Sequence, residues 1–120
     1  VMVGRALTAR PWLLWQVGEA LGLPPPIGKY GSAPRTPEEE AKEYGRSLFR
    51  LLELMEEHFE ERQALRKFCF HVQTSAVWLP FGHTLFAKAR AAKSFVEARK
   101  HLEEFFFYTH TMYPRTELRQ

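Results

Sequence analysis

Apolar residues recur every three or four positions between residues 36 and 108, which is the spacing of one helix face. The clearest start is Thr36-Pro37-Glu38-Glu39. There Thr36 can cap a helix, Pro37 suits its first position, and Glu39 completes a capping box. We expect this helix to run to about Glu60. Its apolar face is predicted to hold Ala41, Tyr44, Leu48, Leu51, Leu52, Met55 and Phe59.

Three shorter helices are predicted after the first one. The earliest of them must end before Pro80, because the residue before a proline disfavours the helical conformation. Residues 81–83 predict a turn, and the next helix runs from about residue 84 to residue 92. Ser94 and Glu97 form a second capping box, which opens the last helix. The apolar faces hold Leu65, Phe68, Cys69, Val72 and Ala76 in the earliest helix, and Val96, Leu102, Phe105 and Phe106 in the last.

The first 35 residues carry a different pattern. Residues 1–3 are continuously apolar and predict the end of a strand that turns at once into a helix. Pro11 suits the first turn of that short helix, and Gly22 closes it. Residues 23–35 hold four prolines and two glycines, which predicts a linker.

These patterns predict an all-α fold with two unlike parts. Residues 36–108 predict a small antiparallel helical bundle. Residues 1–22 look like a remnant strand–turn–helix from a truncated (β/α) barrel, joined to the bundle by the linker at 23–35. Residues 109–120 have no periodic pattern, so we expect them to form a tail that frays.

Composition narrows the class of protein. An apolar fraction of 45% supports a packed core and argues against disorder. Cys69 is the only cysteine, which rules out an internal disulfide and favours a reducing, cytoplasmic setting. No apolar run approaches the roughly 18 residues that a membrane-spanning helix needs. A zinc site is not expected, because a single cysteine accompanies only scattered histidines. These are His58, His71, His83, His101 and His110.

Charge is segregated along the chain. Residues 38–61 hold nine glutamates against three cations, whereas residues 62–101 hold eight cations against one glutamate. This segregation indicates a polyanion partner for the second half, since phosphate contacts give affinity without reading sequence. The alternative is that the acidic helix simply packs beside the basic ones. The predicted RNA contacts are Arg62, Arg66, Lys67, Lys88, Arg90, Lys93, Arg99 and Lys100.

Several apolar residues have both a structural and a functional interpretation. Cys69 lies on the apolar side of its helix and is predicted to be a small buried residue rather than a nucleophile. The run Phe105-Phe106-Phe107-Tyr108 wraps around a helix, so at least two rings should be core, and the alternative is a base-stacking platform. Trp12 and Trp15 are expected to be exposed without the rest of a barrel, and their partner would be the missing barrel or, by self-association, a second copy of the chain.

The N-terminal string resembles one known family. "VMVGRAL" followed by "RPWLLWQV" is similar to the end of the flavin barrel of tRNA-dihydrouridine synthases, in which Met-x-Gly-Arg closes a strand and Pro-Trp begins a helix soon after. In that family a proline-containing linker and a C-terminal helical bundle follow. "LRKFCFH" and "FGHTLFAKAR" resemble segments of that bundle.

The resemblance implies different functions for the barrel and for the helical region. The parent enzyme would use FMN and NADPH to reduce uridine in tRNA, with Gly4 and Arg5 contacting the FMN phosphate. The helical region would bind tRNA, and Arg66 and Lys67 map onto its tRNA-facing helix. The family's catalytic cysteine loop, which resembles Asn-x-x-Cys-Pro, is absent from these 120 residues. The chain is therefore expected to bind no FMN and to be inactive without the N-terminal barrel.

Two other functions fit the same residues. One is a stand-alone helical module that binds nucleic acid. The other is a helical protein-interaction or dimerisation domain that binds no nucleic acid at all. Binding of tRNA at low salt separates the last alternative from the first two.

Overall fold

The computed structural model describes residues 10–26, 29 and 31–112, and this part of the chain is helical. Helix α1 spans Leu13–Ala20, α2 Pro37–His58, α3 Glu61–Ser75, α4 Gly82–Ala91 and α5 Phe95–Phe106, and a 3₁₀ turn at Ala76–Trp78 follows α3. The predicted helical class is confirmed for these residues, which contain no strand. The strand predicted at residues 1–3 lies outside the described residues.

The helix ends follow local sequence signals. Thr36 Oγ1 accepts a hydrogen bond from the Glu39 amide at 3.1 Å, and Ser94 Oγ accepts one from the Glu97 amide at the same distance. These bonds satisfy amide groups that have no partner inside a helix. Gly22 has a φ of 78° and ends α1, because the left-handed conformation is open to glycine without strain. Both predicted caps and the predicted glycine stop are confirmed.

Helices α2 to α5 form a closed bundle. Each packs against the next in the chain, and α5 returns to pack against α2. The largest fully buried side chains come from all four helices, and each stabilises the fold by about 1.5–3 kcal/mol. They include Tyr44, Leu48, Leu52, Phe68, Val72, Leu85 and Leu102. This arrangement confirms the predicted helical bundle.

The connection between α3 and α4 is unusually tight. A Cβ atom at Gly82 would lie 1.9 Å from the Ala76 carbonyl oxygen, so any larger residue would force the backbone apart. Helix α4 begins at Gly82, two residues before the start predicted from sequence. This close approach holds the start of α4 against the 3₁₀ turn that follows α3.

The N-terminal segment packs into the same core as the bundle. Trp12 and Trp15 are only 3% and 8% exposed, and Ala33 is buried with them. Trp12 Nε1 donates to Glu40 Oε2 at 3.2 Å, and Gln16 Nε2 donates to the Pro34 carbonyl at 2.7 Å. The expected exposure of the two tryptophans is therefore wrong. The reason is that residues 31–35, part of the predicted linker, fold back against α1, where the Ala33 amide donates to Glu19 and Ala33 joins the core.

The start of the predicted tail is also ordered against the bundle. Met112 is buried, and its amide donates to the Pro37 carbonyl at 3.1 Å. The His110 ring stacks on Phe105 with centroids 4.0 Å apart, and its Nε2 lies 2.6 Å from the Phe105 carbonyl oxygen. The expectation that the tail frays from Thr109 is thus wrong for residues 109–112. Residues 113–120 lie outside the described part of the chain.

Three side chains depart from their predicted burial, namely Val96, Cys69 and Phe59, which is 40% exposed just after α2. Val96 is 78% exposed, because Ala98, Leu102 and Phe105 set the inner face of α5 and a residue two positions from Ala98 points the opposite way. Cys69 is half-buried, since it follows the fully buried Phe68 by one position and sits at the edge of the inner face.

Candidate nucleic-acid interface

The eight cations predicted as RNA contacts are distributed around the bundle. Arg62, Arg66 and Lys67 are exposed on α3, and Arg90 is exposed near the end of α4. Lys93 is exposed in the turn between α4 and α5, where its amide donates to Glu97 Oε2 at 2.8 Å. The remaining cations lie on α4 and α5 and take part in the contacts described below.

Three exposed arginines lie on the neighbouring helices α3 and α4. Arg62 and Arg66 are one turn apart and share a face of α3, and Cys69 continues that face three residues later. Burial raises the pKa of the Cys69 thiol, and the positive charge of Arg90, on the neighbouring helix α4, opposes that shift. We call Arg62, Arg66 and Arg90 the basic strip.

The guanidinium groups of the basic strip are available for ligands. Within the described residues, no carboxylate lies within 4.0 Å of any of the three. All three are exposed, so a phosphate can reach them from solvent. An arginine can bind a phosphate through two parallel hydrogen bonds.

Lys67 is exposed as predicted and contacts the connection between α2 and α3. Its Nζ lies 5.2 Å from the centroid of the Phe59 ring, a cation–π contact with the residue that ends α2. Lys67 is therefore adjacent to the basic strip without being part of it.

Arg99 is partly neutralised by the acidic helix. Its guanidinium lies 3.3 Å from Glu56 Oε2, and both side chains are about half exposed. An exposed pair of this kind contributes roughly 0–1 kcal/mol and weakens with salt. Here the alternative prediction, in which the acidic helix packs beside a basic one, describes the contact correctly.

Lys88 and Lys100 line a separate groove between α4 and α5. Lys88 Nζ lies 3.4 Å from Glu104 Oε2, and the Lys88 carbonyl oxygen lies 2.7 Å from His101 Nδ1. The groove has a volume of about 760 Å³. We call it the α4/α5 groove and define it by Phe81, Lys88, Lys100, Glu103, Glu104, Phe107 and Tyr108.

The sequence prediction considered exposed rings only at residues 105–108 and missed the exposed ring of Phe70. Phe70 is 66% exposed on α3, four residues after Arg66, although Phe68 next to it is fully buried. Phe105 and Phe106 pack against the core, which confirms that at least two rings of the run are structural. Phe107 and Tyr108 remain exposed. Helical spacing from the buried positions Phe68 and Phe105 could have located these exposed rings.

The histidines have local structural contacts or lie on the surface. Burial lowers the pKa of His71, which favours its neutral form. His58 and His83 are exposed, whereas His101 and His110 each contact a backbone carbonyl. Among the described residues no three His, Cys, Asp or Glu side chains come together as a metal site requires.

Gly4 and Arg5, the residues that the resemblance implies contact the FMN phosphate, lie outside the described residues. None of the helices in the described ranges is long and apolar enough to cross a membrane.

Comparisons with family models, curated proteins and solved structures give no match to this chain.

Proposed function

We propose that the chain is the tRNA-binding C-terminal region of a flavin-dependent tRNA-dihydrouridine synthase. The parent enzyme would reduce uridine to dihydrouridine in tRNA, using FMN and NADPH bound by a barrel that precedes these residues. Two observations support the proposal. One is the N-terminal string that resembles the end of that barrel. The other, which carries the RNA-binding part, is the basic strip of exposed arginines without a carboxylate partner among the described residues.

The basic strip suits a folded RNA better than a sequence-specific target. Double-stranded RNA is recognised mainly through shape, phosphates and 2′-hydroxyl groups. Three arginines on two rigid helices fix the spacing of the phosphates they can contact. The strip therefore supplies affinity and orientation, and sequence recognition is left to other contacts.

The acidic end of α2 would help to orient the RNA. Glu53, Glu56, Glu57 and Glu60 are all exposed there. Their charges repel phosphates, so an approaching tRNA is directed toward α3 and α4 instead. The same segregation would make association fast at low salt and slower as salt is added.

A protein-interaction function is favoured by one specific observation. Leu14, Val17 and Leu21 form an exposed apolar stripe at helical spacing on α1. In our proposal this stripe would pack on the barrel of the same enzyme. Self-association through Trp12 and Trp15 is not proposed, because both are buried.

Filter binding of tRNA across a salt series tests the proposal. The test variant carries Arg66→Glu and Arg90→Glu, and the matched control carries Lys42→Glu and Arg50→Glu on α2, which makes the same change in charge. Each lost phosphate contact should reduce the slope of log affinity against log salt by roughly 0.7–0.9. The test variant should therefore bind weakly with a flatter slope. The proposal fails if the folded test variant retains the parental affinity and slope.

A further inference from the structure

The α4/α5 groove brings together aromatic rings from two separate segments. Phe81 comes from the turn before α4, and Phe107 and Tyr108 come from the end of α5. All three are largely exposed, and Phe107 is 81% exposed. The core does not bury these rings, so packing alone does not account for three large apolar side chains around one groove.

Phe81 is held in a conformation that its residue type disfavours. It has φ 62° and ψ 18°, the left-handed region, and is the only non-glycine residue with positive φ among those described. The backbone at Gly82 cannot shift to relieve this strain, because Gly82 lies close against the Ala76 carbonyl oxygen. A glycine at position 81 would remove the strain. The phenyl ring is thus maintained at the groove against a local backbone preference, a pattern typical of functional positions.

The opposite wall of the groove is rigid and carries charge. Phe107 and Tyr108 meet edge to face with ring centroids 5.3 Å apart. The stack of His110 on Phe105 fixes the chain directly beyond them. Lys100 is exposed on the same side, and within the described residues no carboxylate lies within ion-pair distance of it.

We propose that the α4/α5 groove binds an unpaired nucleotide of RNA, with the base against the aromatic rings and a phosphate at Lys100. This inference rests on the proposed RNA-binding function and adds a second contact, distinct from the basic strip. Aromatic faces stack on any base, and the Glu104 carboxylate is an acceptor for base N–H groups. The groove is open to solvent, so an unpaired base can enter it, whereas a duplex has no unstacked base to insert.

Binding of a short fluorescent oligouridylate to the full chain, measured by anisotropy, tests this site. Phe107→Ala should weaken binding by about tenfold, the effect of losing one stacking ring. Lys100→Glu should also weaken it, and more strongly at low salt. Val96→Ala is the matched control, because Val96 is exposed on the same helix but outside the groove. An abasic oligonucleotide of the same length should bind far more weakly than the oligouridylate.

Phe81→Gly provides a variant whose loss of binding cannot be attributed to misfolding. Glycine is free of strain at this φ, so the melting temperature should stay the same or rise while oligouridylate affinity falls. The groove proposal is overturned if Phe107→Ala and Phe81→Gly both bind oligouridylate like the parent, or if the abasic oligonucleotide binds equally well. In either case, weak tRNA binding by the Arg66→Glu/Arg90→Glu variant would leave the proposed function intact. Conversely, the groove variants could lose oligouridylate binding while the Arg66→Glu/Arg90→Glu variant binds tRNA like the parent. That result would support the groove and refute the basic strip.

Discussion

Helices α1 and α3 both bury one face in the core, but their outer faces differ. On α1 the outer face is an apolar stripe of Leu14, Val17 and Leu21, whereas the outer face of α3 carries Arg62 and Arg66. The inner faces explain why both helices are stable parts of one fold. The outer faces indicate different partners, because apolar surface favours protein contacts and unpaired cations favour phosphates.

The inner face of α1 is expected to give the largest effect on stability. Trp12→Ala should lower the free energy of unfolding by about 3–5 kcal/mol, because it leaves a cavity beside the bundle and removes the indole donor to Glu40. Urea denaturation followed by circular dichroism measures this change. Leu14→Ala on the outer face is the control and should change stability by about 0.5 kcal/mol or less. Equal effects of the two variants would show that the N-terminal segment does not share the core.

Substitutions on the two outer faces should have different effects on tRNA affinity and on surface hydrophobicity. Leu14→Gln with Val17→Gln should leave tRNA affinity unchanged and reduce retention on a hydrophobic-interaction column, since only apolar surface is removed. Arg62→Glu with Arg66→Glu should weaken tRNA binding and leave retention on that column unchanged. If the glutamine variant also loses tRNA binding, α1 is part of the RNA surface and the comparison is wrong.

The position of Arg90 beside α3 gives a smaller, chemical effect. Arg90 opposes the upward shift that burial causes in the pKa of Cys69, so Arg90→Ala should raise that pKa further. At a fixed pH below the pKa, less thiolate would be present and alkylation by iodoacetamide would be slower. Arg99→Ala is the control, because Arg99 pairs with Glu56 and is not among the groups that shift the pKa of Cys69. Unchanged alkylation in Arg90→Ala would remove Arg90 from the basic strip.

The accuracy of the sequence predictions depended on how local each feature is. The caps at Thr36 and Ser94 and the glycine stop at Gly22 were correct, because each involves residues only a few positions apart. The exposure expected for Trp12 and Trp15 was wrong, because their burial depends on residues 31–35 folding back against α1. That contact joins parts of the chain whose spacing carries no periodic signal.

Predictions for the candidate site were likewise limited to what nearby residues in the chain can show. The cations of residues 62–101 look alike in sequence, yet Arg99 and Lys88 have carboxylate partners and the basic strip has none among the described residues. The partners Glu56 and Glu104 are distant in the chain, so the spacing of charges could not separate the two groups. The exposed ring of Phe81 depends on a left-handed turn that a phenylalanine rarely adopts.

The most direct test of RNA binding by the basic strip is an NMR titration that follows the arginine Nε–Hε signals while tRNA is added. Our account predicts that the signals of Arg62, Arg66 and Arg90 shift or broaden first. Those of Arg50 on α2 and Arg99, which have glutamate partners, should change little at the same stage. Early changes at Arg50 and Arg99, with the strip unaffected, would contradict the central claim.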